Sequence, residues 1–166
     1  MSADSKVLGA AETMTEALMI EDGTKGDLTF APSGEQFIAL IRPLIGFPGS
    51  LTFKLHTMGE AYEPFLALSS IDEPGIEFIV VRPGLLFSDY AFAIDDDDAA
   101  ALGLAKPSDV DVIVLVTRRH EAVPTVNLMG PLVVNRRSRV ATQIVLHDGG
   151  FAAAVPVDAR SARAKT

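Results

Sequence analysis

The chain has 166 residues, 48% of them apolar, a formal charge of −8 and no cysteine. This length and apolar content suit one folded domain and exclude a wholly disordered chain. The acidic balance argues against non-specific attachment to nucleic acid or anionic membrane, and the lack of cysteine removes disulfides, thiolate nucleophiles and thiolate metal sites.

Residues 1–26, rich in Ala, Thr, Glu, Asp and Gly, read as a variable, mobile arm. They lack the basic start and uninterrupted apolar stretch of a signal peptide. No run in the chain is long enough to span a bilayer as a helix, and a cytoplasmic location is expected. From about residue 27 the character changes. LTF at 28–30 and FIALI at 37–41 flank the turn APSG, and RPLIGFPGS follows as a loop bent by Pro43, Gly46, Pro48 and Gly49. LTFKL at 51–55 alternates, which predicts Leu51, Phe53 and Leu55 on an inward face.

PFLAL at 64–68 reads as a strand ended by the turn-forming SSIDEPG. IEFIVVR at 76–82 is apolar at both parities, as a strand buried on both faces would be. LLFSDYAFAI carries Phe87, Tyr90 and Phe92. DDDDAAALGL at 95–104 predicts a helix, with Asp95 or Asp96 at its N-cap and Gly103 as a left-handed stop. VDVIVLVT at 110–117 is the most apolar strand. TVNLMGPLVVN at 125–135 folds back at Gly130-Pro131, with Val126, Leu128, Leu132 and Val134 as core positions and Thr125, Asn127, Val133 and Asn135 opposite. ATQIVL, a turn at HDGG and FAAAVPV close the domain near residue 158, and 159–166 is a polar tail expected to fray. Many short strands around one or two short helices predict a mainly β, single antiparallel barrel-like domain.

Catalytic and metal patterns are sparse. His56, His120 and His147 have no metal-ligand spacing, and no cofactor or metal is expected. His147-Asp148 is the one candidate catalytic pair, and no nucleophile-elbow serine accompanies it. Arg118-Arg119 and Arg136-Arg137 with Arg139 form two basic clusters. On a chain this acidic they suit strand ends and carboxylate pairing better than direct RNA binding.

Taken in order, several stretches resemble the flagellar assembly factor FliW family. GFPGS at 46–50 is similar to its Gly-x-Pro-Gly-Phe loop, PFLALSSIDEPGIEFIVVRP at 64–83 to its PFLWLQS-x-DDP segment, FSDY at 87–90 to its F-x-PDY element, and TVNLMGPLVVN to its TVNL-x-APIVIN signature. The chain departs from the pattern at Ser50 (Phe), Ala67 (Trp), Glu73 (Asp) and Ser88 (Pro). The resemblance implies a non-enzymatic regulator that binds the carbon storage regulator CsrA, prevents its repression of flagellin translation, and also binds flagellin. It further implies partner contacts at Phe47, Ser50, Asp89, Tyr90, Asn127 and Arg136. The alternatives are a β-domain interaction module with an unrelated partner, or a small enzyme using His147 and Asp148.

Overall fold

The computed structural model describes residues 18–21, 35–147 and 149–162. The expected LTF strand at 28–30, Asp148 of the His147 pair and the end of the tail lie outside them. The strands are β1 (Leu18–Glu21), β2 (Glu35–Leu40), β3 (Thr52–Thr57), β4 (Leu66–Ser70), β5 (Glu77–Val81), β6 (Ala91–Ile94), β7 (Val110–Thr117), β8 (Thr125–Val126), β9 (Leu132–Asn135), β10 (Val140–Gln143) and β11 (Val155–Pro156). Among the described residues one α-helix, α1 (Asp96–Leu102), follows β6.

Seven strands close a barrel in the order β7-β5-β4-β3-β2-β10-β9 and back to β7. Closure removes the open edges that would otherwise template aggregation. The pairings are antiparallel except β10 on β2, which is parallel. β8 and β11 extend the sheet beyond β7, and β1 pairs with β6 in a separate ribbon.

Alternation along the strands builds two cores. Ile38, Leu40, Phe53, Leu55, Leu66, Leu68, Val80, Ile113, Leu132 and Val134 fill the barrel. A second core lies outside it, where Phe87, Tyr90, Phe92, Ile94 and Leu102 pack on Val112, Val114 and Val133. β7 and β9 therefore bury both faces, which is why VDVIVLVT and LVVN carry so little polarity. Val133, expected opposite the core, is fully buried because this outer layer covers it. The two halves of TVNLMGPLVVN serve different cores, with Val126 and Leu128 in the outer one and Leu132 and Val134 inside the barrel.

The helix starts and stops at the predicted signals. The Asp95 carboxylate accepts the Asp98 N–H at 2.8 Å. Gly103 adopts φ 70, the left-handed conformation that a Cβ disfavours. Three expectations are corrected. Leu51, placed inward by alternation, is 43% exposed, because β3 begins only at Thr52. The mobile arm does not extend through residue 26: Leu18–Glu21 pairs with Ile94–Ala91, and Ile20 is buried in the outer core. The tail is docked as far as Ala162, which is fully buried.

The β1 pairing carries a prediction. Removing residues 1–17 is expected to leave the thermal transition nearly unchanged. Removing 1–26 deletes the Ile20 side chain and the β6 pairing, and costs about 2–4 kcal/mol by the scale of large core truncations. Paired melts of the two truncated chains check this, and equal midpoints would make β1 energetically dispensable.

Candidate protein-docking face

An apolar groove of about 340 Å³ opens on the outer barrel surface, lined by Met58, Ala61, Tyr62, Glu63, Phe65, Ile79, Val116, Arg118 and Pro124. Strand alternation places Ile79 and Val116 there, directly across from each other in the β5–β7 register. The 3-10 turn Glu60–Tyr62 brings Tyr62 to the rim, 57% exposed. Arg118 and Glu63 supply the charge, so the lining offers apolar area and a polar rim without a reactive centre. Elsewhere on the barrel, Phe37 from β2 and Ile45, Leu51 and Ile71 from its flanking loops are also exposed.

The loop between β2 and β3 is held from below by the β4–β5 turn. Ser50 is fully buried. Its hydroxyl donates to Glu73 Oε1 at 2.5 Å and lies 2.8 Å from Ser70 Oγ, which in turn accepts the Glu73 N–H at 2.9 Å. With the Ser50 proton given to Glu73, Ser70 donates to Ser50 and the ring closes. The two departures Ser50 and Glu73 are thus partners. A Cβ on Gly49 would sit 2.8 Å from the Glu73 carboxylate, so a side chain there would have to push that carboxylate aside. Phe47 covers the loop edge-on against Phe78, with ring centroids 4.8 Å apart.

Asp72 completes the clamp, accepting the N–H groups of Leu51 and Thr52, both at 2.7 Å. These two bonds hold its carboxyl below the usual carboxylate range. Because the folded pKa lies below the unfolded one, the stabilisation is complete above about pH 4 and is lost as pH falls through the folded value. Asp72→Asn is therefore expected to flatten the acid loss of stability below about pH 4. Urea midpoints measured across that range in both chains test this, and parallel curves would remove Asp72 as a contributor.

The six residues singled out by motif do not converge on one site. Tyr90 is fully buried and donates its hydroxyl to the Leu128 carbonyl at 2.7 Å, joining the FSDY and TVNLMG elements from beneath. Burial drives its pKa well above the ordinary tyrosine range. Tyr90 and Ser50 are corrected from partner contacts to supports, since neither reaches the surface. Asn127 is half-buried, and its Oδ1 accepts the N–H groups of Met129 at 3.1 Å and Gly130 at 3.0 Å. Asn135 repeats the device eight residues on, accepting from Arg137 and Ser138. Both asparagines therefore organise turns, and Asn135 also donates to the Leu102 carbonyl at the end of α1. Arg136 is half-buried and donates through Nε to the Val110 carbonyl at 3.0 Å. Phe47 and Asp89 each present a face to solvent from separate loops.

Two polar groupings escaped the linear reading. Arg82 and Asp111 form a bidentate pair at 2.8 and 2.6 Å, with their side chains 2% and 5% exposed. By strand parity both lie on the barrel-interior side of β5 and β7. A charge inside VDVIVLVT was the available signal. His56, Ser69 and Glu77 also assemble on the outer sheet, with His56 Nε2 3.0 Å from Ser69 Oγ and Ser69 donating to Glu77 at 2.7 Å. The serine proton points to the carboxylate rather than to the imidazole, so this set does not generate a nucleophile. His147 is exposed, beside a groove lined by Ala91, Phe92, Ala93, Val145, Leu146, Gly149 and Phe151, and no other described residue of that lining carries a catalytic side chain. Among the described residues no group of three His, Cys, Asp or Glu is placed to hold a metal.

A FliW protein family model matches residues 20–157. This chain belongs to the FliW family. It is 44% identical over 117 residues to the flagellar assembly factor FliW of Magnetococcus marinus, covering 69% of this chain and 71% of that protein. It is 33% identical over 128 residues to the Bacillus subtilis flagellar assembly factor FliW, covering 76% and 89%. A crystal structure of the flagellar assembly factor FliW superposes with a TM-score of 0.68 at 23% identity, over 84% of this chain and 96% of that one, which shows the shared fold. The family match begins at residue 20 and so takes in Ile20 and Glu21, the second half of a strand that composition had assigned to the arm. No helix among the described residues is long and apolar enough to cross a membrane.

Proposed function

We propose that this chain binds the carbon storage regulator CsrA in the cytoplasm, antagonises its repression of flagellin mRNA, and binds flagellin as the competing partner. Membership of the FliW family across the whole folded domain carries this reading. The chemistry is consistent with it. An exposed apolar groove with a polar rim suits a protein partner. The −8 charge disfavours RNA and accelerates encounter with a basic protein. Arg136 and Arg139 each make a hydrogen bond within the chain, to the Val110 carbonyl and to Gln36.

The proposed contacts are the groove, with Tyr62 at its rim, and the solvent-facing parts of Phe47, Asp89, Asn127 and Arg136. Ser50 and Tyr90 hold two of the loops beneath them. Co-purification with the host's regulator and flagellin, followed by calorimetric titration, tests the reading. Both partners are expected to bind at micromolar concentration or better, and Tyr62→Ser to weaken at least one about tenfold with an unchanged melt. In a gel shift, the chain alone is expected to leave the flagellin leader unshifted. Failure to bind either protein, or saturable binding to the leader without the regulator, sinks the proposal.

A further inference from the structure

We propose that Asp89 and the recess beside it form a docking site for a short segment with a hydroxyl residue followed by a small residue, and that Ser161-Ala162 of the same chain is its resident, displaceable ligand. The observed contacts define the recognition chemistry. Asp89 Oδ2 accepts the Ser161 hydroxyl at 2.5 Å and Oδ1 accepts the Ala162 N–H at 2.8 Å. Both carboxylate oxygens are thereby matched to two adjacent donors, an arrangement that excludes proline after the hydroxyl residue. The Ala162 side chain is fully buried in the outer core with Phe87, Tyr90 and Phe151. A recess closed around one methyl group admits Ala, Gly or Ser and rejects larger side chains.

The hold on this segment differs from that on the rest of the domain. No strand pairing among the described residues continues past Pro156. Among the described residues, the backbone bonds along the way include Val157 N–H to the Pro124 carbonyl and Ala159 N–H to the Pro156 carbonyl. Asp89 itself is exposed, in the loop that leads to Tyr90 and β6. A segment outside the strand ladder, clasped by a surface carboxylate, opens locally at lower cost than a barrel strand. While closed, it competes at the high effective concentration of a tethered ligand. The site is therefore self-occupied, and opens to a partner segment of the same pattern. The negative charge of Asp89 favours basic flanks, as in the chain's own Arg160-Ser161-Ala162-Arg163. This inference concerns a local site and does not depend on the identity of the partners proposed above.

Native-state hydrogen exchange on the full chain supplies the first test. The Ala162 amide is expected to exchange at least about tenfold faster than those of Val112 and Val114, through local opening. In the second, the peptide VDARSARAKT, residues 157–166, is titrated into full-length Ala162→Asp, whose own segment no longer fits. Saturable shifts at Asp89 and Tyr90 are expected, and are expected to vanish with an Asp89→Ala, Ala162→Asp chain. Exchange at Ala162 as slow as in β7, failure of Ala162→Asp to fold, or a folded Ala162→Asp chain that ignores the peptide would each make the clasp a permanent part of the core and overturn the proposal.

Discussion

Arg82→Ala is expected to lower the unfolding free energy by about 3–5 kcal/mol, the largest single effect anticipated in this domain. The magnitude follows from what is left behind. Asp111 sits 4% exposed on the interior side of β7, and truncating its bidentate partner strands a carboxylate in apolar surroundings. Asp111→Ala is expected to be comparably harmful, because it strands the guanidinium instead. The double replacement Arg82→Met, Asp111→Leu should recover most of the loss, since an apolar pair of similar volume removes both desolvation costs. Urea denaturation of Arg82→Met, Asp111→Leu and the variant that combines them closes the cycle. A double variant no better than the sum of the singles would mean that the two charges are not coupled as the geometry requires.

Leu128→Ala is expected to cost about 2–5 kcal/mol, the range for a fully buried leucine whose site cannot collapse. Leu132→Ala should cost a similar amount, about 2–5 kcal/mol, although only four residues separate the two. They fill different cores, Leu128 the outer layer and Leu132 the barrel. The two losses should therefore add to within about 0.5 kcal/mol. Asn127→Ala, by contrast, removes one acceptor shared by two N–H groups of a turn and should cost only about 1 kcal/mol. Thermal and denaturant unfolding of the three single variants and the double leucine variant check the ranking. Strong coupling between the leucines would show that the Gly130-Pro131 turn joins the cores into one unit.

Local signals read well wherever one short stretch decides its own structure. The helix at 96–102 follows from an aspartate cap and a glycine stop within nine residues, and strand 110–117 from an apolar run that only Asp111 interrupts before Thr117. The family resemblance was legible in the order of GFPGS, FSDY and TVNLMGPLVVN, and the matched domain contains all three.

What the sequence determined by itself was the class of fold and the strand positions through most of the barrel. Periodicity and turn chemistry act over a few residues and are written along the chain. Only the tertiary structure decided which face of each strand meets which core. Alternation distinguishes two faces but cannot say that both will be covered, as they are at Val133. It also decided the roles of the motif residues. Ser50 meets Glu73 across 23 residues, Tyr90 meets Leu128 across 38, and Asp89 holds Ser161 across 72. None of these separations leaves a periodic trace, because a side-chain hydrogen bond constrains two points in space and nothing along the chain between them. The same reason placed β1 in the domain rather than in a mobile arm: its four residues become a strand only when β6, some seventy positions later, supplies the other half of the ladder.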